Sequence, residues 1–332
     1  MDLTTGYLGM DLRNPIVASA GPLGRTVDGV RRLAAGGVGA VVLASLFEEQ
    51  LEREEGGPGA ERERAYVPPG GQLHSPRGYL ELVGKAVSAV EVPVIASLNG
   101  CTTGGWTSYA SAIEQAGARA IELNLYFPQV DPLTSGREVE DRLIEVLSTV
   151  KAAVTIPVAV KFSPYLSSPG EVALRLDRAG ADGLVLFNRF VQTGIDPETL
   201  HVDATFELSR PADAAFARMW IARLHGRVNA SLAASTGVDE ARDVAAYLLA
   251  GADVVMTTSA LLRHGPEHVE TLLAGLVGWM NRKGFESLSQ VRGMLAAPVA
   301  HDGVGEPGEE SDRTGYLTAL YQATSKYVLG ES

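Results

Sequence analysis

One hydrophobic–polar pattern recurs four times along the chain: GGVGAVVL at 36–43, AGARAIEL at 116–123, AGADGLVL at 179–186 and AGADVVMT at 250–257. In each, an amphipathic helical stretch runs up to a glycine of the kind that ends helices. Two polar or small residues follow, then an apolar, β-branched run. That run lacks the alternation of a strand with one wet face, so it predicts a strand covered on both sides, the setting of parallel strands. A second phrase alternates with the first: NPIVASAG at 14–21, VPVIASLNG at 92–100 and IPVAVKFSP at 156–164. Here proline opens the strand, where a missing N–H does least harm. With RVNASLAAST at 227–236 the predicted strands number eight: 15–21, 40–45, 93–99, 120–126, 157–163, 183–189, 227–235 and 253–259. Helical stretches separate them, among them 79–90, 106–116, 137–154, 169–179, 238–250 and 260–281.

Eight strand–helix alternations predict an α/β fold, a closed parallel (β/α)8 barrel. An open doubly wound sheet is the rival, but it wants a Gly-rich dinucleotide turn after the first strand, and GPLGRTVDG is not one. The barrel is expected over 1–299 as a single domain, followed by an acidic flexible segment at 300–313 and a C-terminal helix at 314–332. Two long excursions break the rhythm. Residues 47–78 are dense in charge, Gly and Pro, and 189–213 form a long connection after the sixth strand. Excursions on one barrel face are commonly binding loops.

Composition narrows the function classes. With 332 residues, 45% hydrophobic, 20% charged and a net charge of −12, the chain reads as a soluble globular protein with no excess of cations for a nucleic-acid surface. A single cysteine, Cys101, excludes an internal disulfide, a Cys-based zinc site and an iron–sulfur cluster held by this chain alone. The N-terminus lacks a signal-peptide pattern and no run is apolar enough to span a membrane. The expected location is the cytoplasm. The six histidines, at 74, 201, 225, 264, 268 and 301, are too scattered for a metal site; His264 and His268 have helical spacing and are expected to be solvated.

In a barrel of this type the chemistry sits at the C-terminal ends of the strands. Those ends are unusually polar: Ser19, Ser45, Asn99, Asn124, Lys161, Asn188, Ser235, Thr236, Thr258 and Ser259. Lys161 closes an otherwise apolar strand, and a buried ammonium calls for an anionic partner or ligand. Asn124 and Asn188 offer donors and an acceptor suited to a polar heterocycle, or else to capping their own loops. After the last two strands come Ser235-Thr236-Gly237, with Asp239 expected in the first helical turn, and Thr258-Ser259. Hydroxyls and a glycine there match the phosphate site that barrels build at this place, where free N–H groups meet a helix start.

These phrases together carry a family likeness. NPIVASAG, GARAIELNLYFP, PVAVKFSP, GADGLVLFN and STGV…AGADVVMTTSALL resemble, in order and spacing, the dihydroorotate dehydrogenase family of FMN-dependent barrels over residues 1 to 282. The resemblance implies FMN as cofactor, with Ser19, Ala20 and Gly21 along the flavin, Ser45 and Asn99 beside it, and Lys161 at its N1/O2 edge. It implies phosphate binding by Gly237, Thr258 and Ser259, and substrate binding by Asn124 and Asn188. It also implies a homodimer, a soluble electron donor or acceptor, and a place in pyrimidine biosynthesis. Three departures stand out. The family's Cys or Ser general base falls on Phe127, which cannot take a proton. A second family lysine appears replaced where Ala44 precedes Ser45. The substrate asparagine near 75–79 is absent from SPRGY.

The expected activity is therefore hydride transfer between flavin and a small polar substrate, acting on a CH–CH bond. Lys161 and Asn124 serve the reaction and Tyr126 is the candidate proton donor. Two alternatives stay open: a Schiff-base lyase or aldolase using Lys161 on a phosphorylated substrate, and a non-catalytic flavin-binding subunit.

Overall fold

In the computed structural model eight strands close into one parallel barrel. The description covers residues 1–50, 75–100, 106–125, 133–189, 192–205 and 207–296. Of the charged excursion expected at 47–78, residues 51–74 lie outside it, as do the acidic segment expected at 300–313 and the C-terminal helix expected at 314–332.

A short antiparallel hairpin, β1 (Thr5–Tyr7) and β2 (Met10–Leu12), precedes the barrel. The barrel strands are β3 (Ile16–Ala18), β4 (Ala40–Val42), β6 (Val94–Gly100), β7 (Ala120–Leu125), β8 (Val158–Phe162), β9 (Gly183–Leu186), β12 (Ser231–Ser235) and β13 (Val254–Thr257). Each pairs in parallel with the next, and β13 returns to pair with β3. That last ladder closes the cylinder and rules out the open sheet. A two-residue strand, β5 (Leu46–Phe47), continues β4 along β6 after a break.

The helices between strands are α1 (Val27–Ala35), α2 (Pro76–Ala89), α3 (Trp106–Gln115), α4 (Gly136–Lys151), α5 (Pro169–Arg178), α6 (Ala214–Leu224), α7 (Ala241–Ala250), α8 (Ser259–His264) and α9 (His268–Lys283). The single helix expected over 260–281 is two, interrupted at Gly265-Pro266, because proline cannot continue the helical ladder.

The recurrent phrases have a local cause. Gly37, Gly117, Gly180 and Gly251 all take positive φ, so each helix ends where only a residue without Cβ turns cheaply. The aspartate of the AGAD phrase then serves a neighbouring strand: Asp182 Oδ2 accepts from Val158 N and Asp253 Oδ2 from Leu232 N, both at 2.7 Å. The opening prolines lack an N–H, yet their carbonyls continue the ladder. Pro15, Pro93 and Pro157 accept from Val255, Val41 and Ile121 respectively.

Alternation divides the strands between two cores. Outward residues such as Val160, Phe162, Leu123 and Val255 pack under the helices. Inward residues Val17, Ala40, Val42, Ile95, Ala120, Ala159, Val185, Ala233, Val254 and Met256 share a core with Tyr7, Leu8, Met10 and Leu12. So many inward alanines cannot fill an eight-stranded barrel by themselves. The N-terminal hairpin supplies the missing bulk, which the strand pattern did not reveal. The connection at 189–213 also holds an antiparallel hairpin, β10 (Gln192–Asp196) with β11 (His201–Thr205).

Candidate active site

Lys161 is the fourth residue of β8, two positions along the inward face from Ala159. It is 6% exposed, and its Nζ donates to Ser19 Oγ at 2.9 Å. On β7, one strand away, Glu122 is 1% exposed and places Oε1 3.7 Å from the same ammonium. Among the described residues neither Glu122 oxygen has a hydrogen-bond partner. Burial raises the Glu122 pKa above the usual glutamate value, against the opposing pull of Lys161. The sequence reading missed Glu122. The available signal was its place in AIELNL, two residues before Asn124 and hence on the same inward face.

A gap in the second strand shapes the adjacent wall. Leu43 N still donates to Ile95 O at 2.9 Å, but the chain then departs from β6 until Leu46 pairs with Leu98. The Tyr79 hydroxyl of α2 stands in the gap. It accepts from Ser97 N at 2.8 Å and donates to Ser97 O at 3.0 Å, replacing the missing neighbour for both backbone groups. The bulged residue Ser45 turns its Oγ to within 2.8 Å of Ser97 Oγ. A bulge that re-aims a side chain is common beside active sites. Neither Tyr79 nor Ser97 was singled out from the sequence, because a strand break is invisible in an apolar run. Asn99, half-buried, lies in register with Asn124.

Asn124 and Asn188 are brought together. The Asn188 amide donates to Asn124 Oδ1, bridging the ends of β7 and β9 across β8, where Asn124 is in register with Lys161. Asn188 also caps its own loop, accepting from Arg189 N at 2.8 Å through Oδ1. It follows a cis peptide bond between Leu186 and Phe187. One side chain therefore both meets Asn124 and caps its own loop.

The last two loops meet the first. Thr258 Oγ1 donates to Ser19 O at 2.9 Å, and a Cβ on Gly21 would lie 2.5 Å from Thr258 Cγ2. Thr236 and Gly237 have φ of 88° and 70°, and a Cβ on Gly237 would stand 2.7 Å from Ala214 N. Tyr247 of α7 supports this turn by donating to Thr236 O at 2.7 Å. Ser235 is buried at the end of β12. Ser259 Oγ accepts from Ser209 N and Ser209 Oγ, each at 3.0 Å, which orients the hydroxyl and leaves its proton to donate.

Asp239 is not in a first helical turn, since α7 starts at Ala241 with Glu240 as its cap. It lies in the loop, its Oδ1 2.9 Å from Arg263 and 3.6 Å from His264 Nε2. His268 Nε2 stands 2.8 Å from the Asp239 carbonyl, and the two histidine rings are 4.5 Å apart. They are tied to this loop rather than simply solvated. Among the described residues no three His, Cys, Asp or Glu side chains could hold a metal. Tyr126, Phe127 and Cys101 lie outside the described residues.

One face of the barrel thus gathers a buried cation, Ser19, Ser45 and Ser97, the two linked asparagines, and close-packed backbone at Gly21 and Gly237. That donor set suits a flat polar ring system lying over Lys161 with an anionic tail at Gly237 and Thr258. Comparison with known proteins gives the family. The family model described as dihydroorotate dehydrogenase matches residues 72–280. The dihydroorotate dehydrogenase B (NAD(+)) catalytic subunit of Methanothermobacter thermautotrophicus is 29% identical over 317 residues, covering 90% of this chain and 99% of the relative. The Limosilactobacillus reuteri dihydroorotate dehydrogenase A (fumarate) is 28% identical, covering 85% and 94%. A crystal structure of DHODH from Eimeria tenella in complex with ferulenol shares the fold, with a TM-score of 0.65 at 15% identity over 90% of this chain and 89% of that one.

Proposed function

The chain belongs to the dihydroorotate dehydrogenase family, and on that premise we propose that it is an FMN-dependent oxidoreductase transferring hydride between flavin and a small polar substrate at a CH–CH or C=C bond. The observation that carries the reading is Lys161: a nearly enclosed ammonium at the barrel mouth, held by Ser19 and Glu122.

When bound, FMN supplies the two-electron acceptor or donor. The residues around it have separable tasks. Lys161 would sit at the N1/O2 edge and stabilise negative charge there, as a fixed cation in a water-poor site does effectively. Ser19, Ala20 and Gly21 would line one side of the ring, and Ser45 and Asn99 another. Gly237, Thr258 and Ser259 would receive the phosphate, Thr258 through its backbone N–H because its hydroxyl proton goes to Ser19 O, and Ser259 also through its hydroxyl, whose oxygen only accepts from Ser209. Asn124 and Asn188 orient the substrate as one linked pair. Tyr126 is the proton donor, since Phe127 beside it has no proton to move. A tyrosine, with an ordinary pKa of about 10, is better as acid than as base, which favours reduction of an activated C=C bond over oxidation.

The family members named above are dihydroorotate dehydrogenases by name, and Phe127 argues for a different substrate here. No helix among the described residues is long and apolar enough to cross a membrane, and a soluble donor or acceptor fits that. The expected homodimer would cover apolar surface at Ile195, Leu200 and Val202 on the β10–β11 hairpin.

The test is the absorption spectrum of the purified protein, with mass identification of the released chromophore, followed by turnover with dihydroorotate and with activated alkenes. Yellow protein releasing FMN supports the reading. A colourless chain that takes up no added FMN defeats it, and borohydride trapping of a carbonyl substrate on Lys161 would establish the Schiff-base alternative instead.

A further inference from the structure

The reading above gives Glu122 no part beyond its contact with Lys161, yet among the described residues it is a buried carboxyl without a hydrogen bond. It is enclosed, both oxygens lack hydrogen-bond partners among the described residues, and its nearest cation is the 3.7 Å contact with Lys161. The other titratable groups coupled to it are the Tyr7 hydroxyl from β1 and the Tyr79 hydroxyl from α2. Both phenols are themselves buried and pushed far above the usual tyrosine value, so they stay neutral. The Tyr7 hydroxyl is also without a partner among the described residues. Among the described residues the charge-bearing groups of this enclosure are thus one lysine and one glutamate.

We propose that Glu122 is a positioning residue of the redox centre, the counter-ion of Lys161 that takes up a proton from solvent when reduction places negative charge beside that lysine. The inference rests on the flavin reading of the site. Its balance is simple. With oxidised flavin, uncharged at its ring, the Lys161 ammonium and Glu122 carboxylate sum to zero. A hydride from the donor that reduces the flavin adds two electrons and one proton to the ring, leaving it with one negative charge. The enclosure would then carry a net charge of minus one, which low-polarity surroundings disfavour. Uptake of one solvent proton converts the Glu122 carboxylate to the carboxylic acid and returns the sum to zero. Re-oxidation releases that proton. The geometry supports this: Glu122 faces Lys161 without a hydrogen bond, so it is a charge partner that can change state without dismantling a network. Its raised pKa acts in the same direction.

The experiment is potentiometric titration of FMN-loaded wild type and Glu122→Gln between pH 5.5 and 8.5. Each proton coupled to a two-electron couple shifts the midpoint by about 30 mV per pH unit. Wild type should show a segment near 59 mV per pH unit, for two protons, while the Gln variant should hold near 30 mV throughout. Glu122→Asp should restore the steeper segment, which a merely structural role would not. If the Gln variant does not fold, Glu122→Leu gives the same comparison. Equal slopes in flavin-loaded wild type and variant overturn the proposal while leaving the flavin reading intact. A wild-type chain that binds no FMN overturns both.

Discussion

Asn188 donates its side-chain amide to Asn124 Oδ1, so two strands that are not neighbours are joined across the one that carries Lys161. In the proposed reading the join makes the two asparagines one substrate-orienting pair. Asn188→Ala removes one donor and leaves Asn124 free to rotate. Loss of one neutral hydrogen bond is worth about 1 kcal/mol, or roughly fivefold in KM. KM for the substrate should rise by that order while the flavin spectrum and midpoint potential stay as in wild type. A shift of the potential would show that Asn188 acts on the flavin instead.

Gly21 and Thr258 are in steric contact, and the extended backbone at Gly21 (φ 177°) is open to any residue. The glycine is needed for space alone. Gly21→Ala drives its methyl against Thr258 Cγ2, threatening the 2.9 Å bond from Thr258 to Ser19 O. Overpacking of this kind costs about 1–3 kcal/mol. FMN retention on gel filtration should fall in Gly21→Ala and recover in the double variant with Thr258→Ser, which removes Cγ2 but keeps the hydroxyl. Absence of recovery would place the cost elsewhere.

Tyr79 supplies both hydrogen bonds that a continuous second strand would have made to Ser97. Tyr79→Phe leaves a buried N–H and C=O without partners, which costs about 1–3 kcal/mol. Urea denaturation of the cofactor-free chain should show this as a lowered midpoint with an unchanged m-value. A Ser97→Ala variant should be milder, because the backbone groups keep Tyr79.

Lys161→Met leaves Glu122 buried with no counter-ion. Breaking a buried pair from one side costs about 3–5 kcal/mol when the remaining group must stay charged. The pH dependence follows from the raised Glu122 pKa. A carboxyl whose folded value exceeds its unfolded value holds more protons in the folded state, so stability falls as pH rises from the unfolded value through the folded one. The melting temperature of Lys161→Met should therefore drop between pH 5 and pH 8. The double variant with Glu122→Gln should remove that slope. A flat profile in the single variant would mean that Glu122 is not the titrating group.

The alternation of covered strands and amphipathic helices, with glycine ending each helix and proline opening strands, determined the barrel from sequence alone, because these are local backbone requirements repeated with a fixed rhythm. Residue type did the same for Lys161, Asn124 and Asn188: polar groups at the ends of apolar strands announce themselves. Tertiary structure alone decided the rest. Whether Asn124 meets Asn188, whether Tyr79 enters a gap in a strand, and whether Tyr7 and Leu8 fill the barrel floor depend on contacts between residues tens to hundreds of positions apart. Asp239, expected in a helix, lies in a loop because Arg263 and two histidines from the next unit reach it. Glu122 reads as one acid among forty in the sequence. Only the closed cylinder strips its water and sets it against Lys161, and that enclosure gives the carboxyl a chemistry that its neighbours in the chain do not indicate.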